Sequence, residues 1–248
     1  MSVDLIALAA PIVFFAYAIF GITGFGAAMV SMPVLIQFMP LQFAVPLVVL
    51  FDLVCTALVG IRNWRHVSIP ELKRLFMWML IGIGLGVAVL HKANSGWPLV
   101  LLGCFVLVVC VRGLRTTGGH NKPMAACWAI PFGLVGGVFS AMFGTGGPVY
   151  TLYLSRRFSE MDAFRATISV VILLSGVIRA IAFGATGMYS QSGILLAALS
   201  LLPACLLGLF LGSRLRPRFS PENLRRCIYM LLAVAGVGAI YRGWVTPI

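Results

Sequence analysis

The stretch GVFSAMFGTGGPVYTLYL, residues 137–154, decides how this chain is read. It sets a glycine-rich break, Gly144-Thr145-Gly146-Gly147-Pro148, inside an otherwise uncharged apolar run. No Lys-Ser/Thr pair follows the glycines, which excludes a P-loop for nucleotide phosphates. At membrane depth a broken helix leaves backbone groups without partners, and that is tolerated only where protein buries them or where they line a cavity. Pro148 suits the first turn of a restarting helix, where a missing N–H leaves nothing orphaned. The other N–H groups of that turn, with the helix dipole, favour an anion in the break.

The flanking sequence fits membrane depth. Of 248 residues 61% are hydrophobic and 10% charged, with mean hydropathy +1.05. Soluble domains carry about 25% charged residues, so the chain is outside that class. Apolar runs at 75–90, 99–111, 166–178 and 228–241 alternate with short basic loops. The expectation is an all-α polytopic membrane protein forming one membrane domain. The start, MSVDLIALAAPIVFF, has neither a basic n-region nor a clear cleavage site, so no removed signal peptide is expected.

The net charge of +12 sits in the loops, as positive-inside topology requires, and is not read as a nucleic-acid surface. Cys55, Cys104, Cys110, Cys127, Cys205 and Cys227 fall mostly in apolar runs without paired spacing, and read as small buried hydrophobes. His66, His91 and His120 lie in loops and read as solvated. No HExxH, GxSxG or ligand cluster occurs, so no enzyme, cofactor or metal site is expected.

The chain repeats itself. Gly24-Phe25-Gly26-Ala27 aligns with Gly144-Thr145-Gly146-Gly147, and Gly82-x-x-x-Gly86 with Gly208-x-x-x-Gly212. The apolar runs 97–111 and 223–241 also correspond. Each half, 1–118 and 119–248, thus reads as a glycine-broken segment followed by three spans. The broken segments are 3–38 and 124–154. The spans are 43–61, 74–90 and 97–111, then 164–183, 192–212 and 224–241. If the broken segments crossed the bilayer, basic loops would be split between its two sides. If they are re-entrant hairpins, fifteen of the eighteen Lys and Arg face one side, leaving Lys92 and Arg242 opposite and Arg179 within a span. The positive-inside rule selects the hairpins. A hairpin plus three spans is an odd number of crossings, so the halves are inverted and their tips meet near the midplane, the sequence pointer to a transporter site.

The glycine-broken first segment of each half, the second reading Phe143-Gly-Thr-Gly-Gly-Pro, resembles the TauE/SafE family of membrane proteins. The size, the internal repeat and the later GxxxG segments are similar too. The resemblance implies transport of sulfite and organosulfur anions such as sulfoacetate. This chain departs from the family's richer glycine pattern at Ala27 and Ala28, which implies a first tip that approaches a ligand less closely than the second.

The residues expected to carry that activity sit at the breaks and within the spans. Thr23, Gly24, Gly26, Gly144, Thr145, Gly146, Gly147 and Pro148 are the substrate-binding candidates, with Ser140 as a further hydroxyl. Glycine spacing of two and the adjacent proline suit a turn, whereas Gly82, Gly86, Gly208 and Gly212 suit helix packing. Asp52 lies roughly 15 Å along its helix from Arg62, near mid-depth, where carboxylates are rare. It is either a proton carrier or a structural partner. Arg179, with Thr167 and Ser175 on a loose polar stripe, either grips the anion, snorkels to the headgroups or pairs with Asp52.

The resulting expectation is a secondary transporter for a small sulfur-containing oxyanion in the bacterial inner membrane, with protons as a coupling ion and a homo-oligomer compatible with the pattern. A passive anion channel and a non-transporting membrane assembly partner are the alternatives.

Overall fold

A computed structural model describes residues 3–23, 26–60, 66–92, 97–115, 124–158, 160–190, 193–215, 233–234, 236–241 and 243–244. The described residues form α1 (Val3–Thr23), α2 (Ala27–Leu35), α3 (Leu41–Gly60), α4 (Ile69–Lys92), α5 (Trp97–Arg115), α6 (Ala129–Phe143), α7 (Gly147–Leu154), α8 (Met161–Ala185) and α9 (Ile194–Leu215), with no strand among them. Residues 236–241 are helical as well and cross α5 where Gly103 faces Gly236.

Among the described residues, six stretches are long and apolar enough to cross a bilayer: Leu5–Ile22, Leu41–Leu58, Ile69–His91, Ala126–Phe143, Ala166–Ala185 and Ile194–Leu215. Four overlap the expected spans 43–61, 74–90, 164–183 and 192–212, with shifted ends. Helical hydrogen bonding continues past the first charges, so α4 begins before Lys73 and Arg74. The expected span 97–111 is α5, whose apolar part is short for a crossing. The expected span 224–241 lies largely outside the described residues.

The other two stretches are the first arms of the broken segments. Their second arms, α2 and α7, have nine and eight residues. At 1.5 Å per residue they extend roughly 12–14 Å, too short to cross. Glycine makes both turns. Gly26, capping α2, and Gly144, ending α6, have φ of 93° and 72°, where a side chain would be strained. The second segment doubles back on itself. The Tyr150 ring covers Gly136, and at the base Met124 N–H donates to Arg156 O at 3.2 Å.

The most extensive pairings join α4 to α6 and α1 to α9. A Cβ on Gly82 would strike Leu134 O, and one on Gly86 would lie 2.8 Å from Val138 O. In the other half, Cβ atoms on Gly208 and Gly212 would strike Phe14 O and Ala18 O. These glycines let backbones meet, as their spacing predicts. Contacts rise in number together along both helices of each pair, so α4 runs parallel to α6 and α1 parallel to α9. Leu53 meets Gly176, and Ser68 N–H bonds Thr167 Oγ1 at 3.1 Å, so α8 runs against α3.

A buried carboxylate fastens the base of the second broken segment to α4. Glu71 accepts hydrogen bonds from Tyr153 Oη at 2.7 Å, Arg157 Nη2 at 2.6 Å and Arg74 Nη1 at 2.8 Å. Arg157 also donates to Met124 O at 2.9 Å. Glu71→Ala leaves Tyr153 and Arg157 without their acceptor, and stability should fall by about 2 kcal/mol. Thermal unfolding in detergent checks this; an unchanged melting temperature would mean that the cluster contributes nothing.

Candidate functional site

Asp52, Ser140, Ser175 and Arg179 converge on the second break, whereas Thr167 lies apart and accepts from Ser68 N–H. Arg179, on α8, is 2% exposed and does not snorkel. Its Nη1 donates to Ser140 O at 3.1 Å and its Nε to Ser175 O at 3.3 Å. Its Nη2 lies 3.7 Å from Asp52 Oδ2 on α3. That is an ion pair, but longer than a hydrogen bond. Asp52 is held from its other side by Tyr17 of α1, whose hydroxyl donates to Oδ1 at 2.8 Å. The Ser140 and Ser175 hydroxyls share a bond of 2.6 Å.

Asp52, Ser140, Ser175 and Arg179 border a small cavity that is open at one side. Its walls come from both breaks: Gly26, Ala27, Ala28 and Met29 on one side, Gly144, Thr145, Gly147 and Pro148 on the other, with Asp52, Tyr150, Ser175 and Arg179 beside them. The tips touch directly, because a Cβ on Gly144 would lie 2.8 Å from the Ala28 Cβ. Ala28 thus closes space that a glycine would leave open. No side chain caps the N-terminus of either α2 or α7.

Two hydroxyls on the cavity wall are buried without a hydrogen-bond partner, Thr145 Oγ1 and Tyr150 Oη. Buried polar groups are almost always paired, so each orphan donor calls for an account. With Arg179 these residues line one space, in which Asp52 is the carboxylate among the described residues.

The expected site residues do not all gather there. Gly146 caps α7, but its Cβ direction points at Gly136 O and Ser140 Cβ, both 2.6 Å away, so it faces the interior of its own segment. Gly147 is the reverse case, since the nearest atom to a Cβ there is 3.9 Å off. The Thr23 side chain and Gly24 lie outside the described residues. Sequence reading did not single out Tyr17 or Tyr150; a lone tyrosine in an apolar run looks like a core aromatic.

Comparison with known proteins fixes the class. A family profile described as "Sulfite exporter TauE/SafE" matches residues 9–239. The chain belongs to the TauE/SafE family. TauE/SafE proteins are transporters, not enzymes, and with six helices able to cross a bilayer among its described residues this one is a multi-pass membrane protein. It is 32% identical over 206 residues to the "Probable inner membrane transporter protein TsaS" of Comamonas testosteroni, covering 80% of this chain and 83% of that protein. It is 26% identical over 227 residues to the "Probable sulfite/organosulfonate exporter TauE" of Cupriavidus necator, covering 88% and 86%. No solved structure matches the chain.

Proposed function

We propose that this chain is a secondary transporter that moves a small sulfur-containing oxyanion, such as sulfite, sulfoacetate or a similar organosulfonate, across the bacterial inner membrane by alternating access. The observation that carries this reading is the cavity between the two breaks, lined by Arg179, Thr145 and Tyr150. Gly26, Gly144, Gly147 and Pro148 form the backbone part of the binding surface. Asp52 carries a coupling proton.

The two halves, 1–118 and 119–248, are inverted repeats of one membrane domain, each opening with a re-entrant hairpin. Helix directions support this: α1 runs parallel to α9 and α4 parallel to α6, each pair joining an element of one half to one of the other. The reciprocal glycine pairings support it too, because Gly82 on Leu134 and Gly208 on Phe14 are the same contact made twice. A site at the interface of such repeats is exposed to either side by rocking one against the other.

Counterflow in proteoliposomes preloaded with sulfite or an organosulfonate tests transport. Exchange-driven uphill accumulation is expected, and a channel gives none. Topology has its own check. Single cysteines replacing His66 and Glu160 should label from the cytoplasm, and those replacing Pro40 and Ser190 from outside. Labelling of positions 40 and 160 from the same face would overturn the inverted hairpins.

A further inference from the structure

The proposed site contains one guanidinium and one carboxylate, and their geometry says more than that both are present. Asp52 Oδ1 is bonded to Tyr17, whereas Oδ2 faces Arg179 across 3.7 Å without a hydrogen bond. The guanidinium is fixed through Nε and Nη1 to two backbone carbonyls. Its Nη2 side therefore has one main task, and Asp52 performs it loosely. An oxyanion drawn to Arg179, Thr145 and Tyr150 needs that same edge of the guanidinium.

Charge then sets the terms. Without cargo the cavity holds Arg179 and Asp52, a net charge of zero. Adding a monovalent anion alone leaves one uncompensated negative charge among walls that include Phe20, Met29 and Ile172. Uncompensated buried charge is strongly disfavoured, most of all within a bilayer. One proton on Oδ2 restores neutrality. The Tyr17 bond survives that change, because Oδ1 stays an acceptor. Among the described residues, the cavity lining holds no carboxylate besides Asp52 to take the proton instead. The other titratable groups facing Asp52 are Tyr17 from α1, Arg179 from α8, and the thiols of Cys55 on α3 and Cys205 on α9, which lie 3.3 Å apart. Tyr150 of α7 stands on the cavity wall as well.

We propose that the transported anion and the Asp52 carboxylate compete for Arg179, so that each monovalent oxyanion, a sulfonate or hydrogensulfite, binds together with one proton taken up on Asp52 Oδ2. This deepens the transporter reading above and rests on it. The proton comes from the side to which the cavity is open and leaves with the anion on the other side, when the carboxylate returns to the guanidinium. Empty and loaded sites are both neutral, so neither crossing moves net charge. A dianion such as sulfate does not satisfy the balance with one proton and is rejected.

Calorimetric titration of the purified protein at neutral pH, in two buffers of different ionisation heat, counts protons directly. Methanesulfonate, ethanesulfonate and 2-hydroxyethanesulfonate serve as probes, because none carries a titratable proton of its own near that pH. The expected result is one proton taken up per anion bound, with sulfate at least about tenfold weaker. Asp52→Asn should bind the sulfonates about tenfold or more tightly, with the competing carboxylate gone, and without proton uptake. Sulfonate binding to the wild-type protein without proton uptake overturns the competition and leaves the transporter reading standing. Sulfate binding as tight as the sulfonates overturns the neutrality rule. If no sulfonate binds at all, the substrate reading falls and this inference with it. The wild-type count decides even if Asp52→Asn does not fold.

Discussion

Arg179→Gln should abolish anion binding and also lower stability, by about 3–5 kcal/mol, because it strands Asp52 in an apolar cavity without its countercharge. Arg179→Lys should fold well and bind roughly tenfold or more weakly. An ammonium keeps the charge but cannot donate to Ser140 O, Ser175 O and an oxyanion in the fixed fork of a guanidinium. Combining Asp52→Asn with Arg179→Gln removes both charges and should recover much of the lost stability, though not the binding. Detergent melting curves and sulfonate titrations on the four proteins separate these effects. If Lys matched Arg in affinity, the guanidinium would have no part in holding the anion.

The second large effect separates two kinds of glycine. Gly212→Val should destroy the folded protein, since a side chain there would strike Ala18 O on the neighbouring helix and prise α1 from α9. Overpacking of this kind exceeds the usual range of about 1–3 kcal/mol when the obstacle is backbone. Gly147→Val should instead leave folding close to normal and remove transport, because its side chain would project into the cavity in front of the α7 N-terminus. Gly146→Val belongs with the first kind, its Cβ being turned into its own segment. Size-exclusion profiles report the first effect and counterflow the second. A monodisperse, transporting Gly212→Val protein would refute the packing account.

What the sequence disclosed follows from the kind of signal each feature carries. Glycine spacing of four marked the packing faces, and the profile match agrees with the family that the broken segments resemble. Asp52 and Arg179 stood out because charge is rare at mid-span. Their pairing was only one of the readings left open, since the partners lie on different halves and depth alone does not give rotation about a helix. Gly146 and Gly147 are indistinguishable as letters; one residue of helical rotation turns one inward and the other to the cavity. Glu71 was passed over because it stands beside Lys73 and Arg74 at the edge of an apolar run, where a solvated charge is the ordinary expectation. Its burial depends on Tyr153 and Arg157, which only the return of α7 brings near.

The reciprocal packing of α1 on α9 and α4 on α6 also constrains how the protein is made. Phe14 leaves the ribosome about 190 residues before Gly208, the residue whose bare backbone it meets. At ordinary elongation rates that is a wait on the order of ten seconds or more. During this interval the small-residue face of α1 has no partner and must rest against lipid, the insertion machinery or a passing helix. Neither half of the chain can complete its own interior, because each lends its opening helix to the other. Assembly is therefore a late event that follows synthesis of α9, and a chain truncated before that point should be recognised as unfinished and degraded by the membrane's quality control.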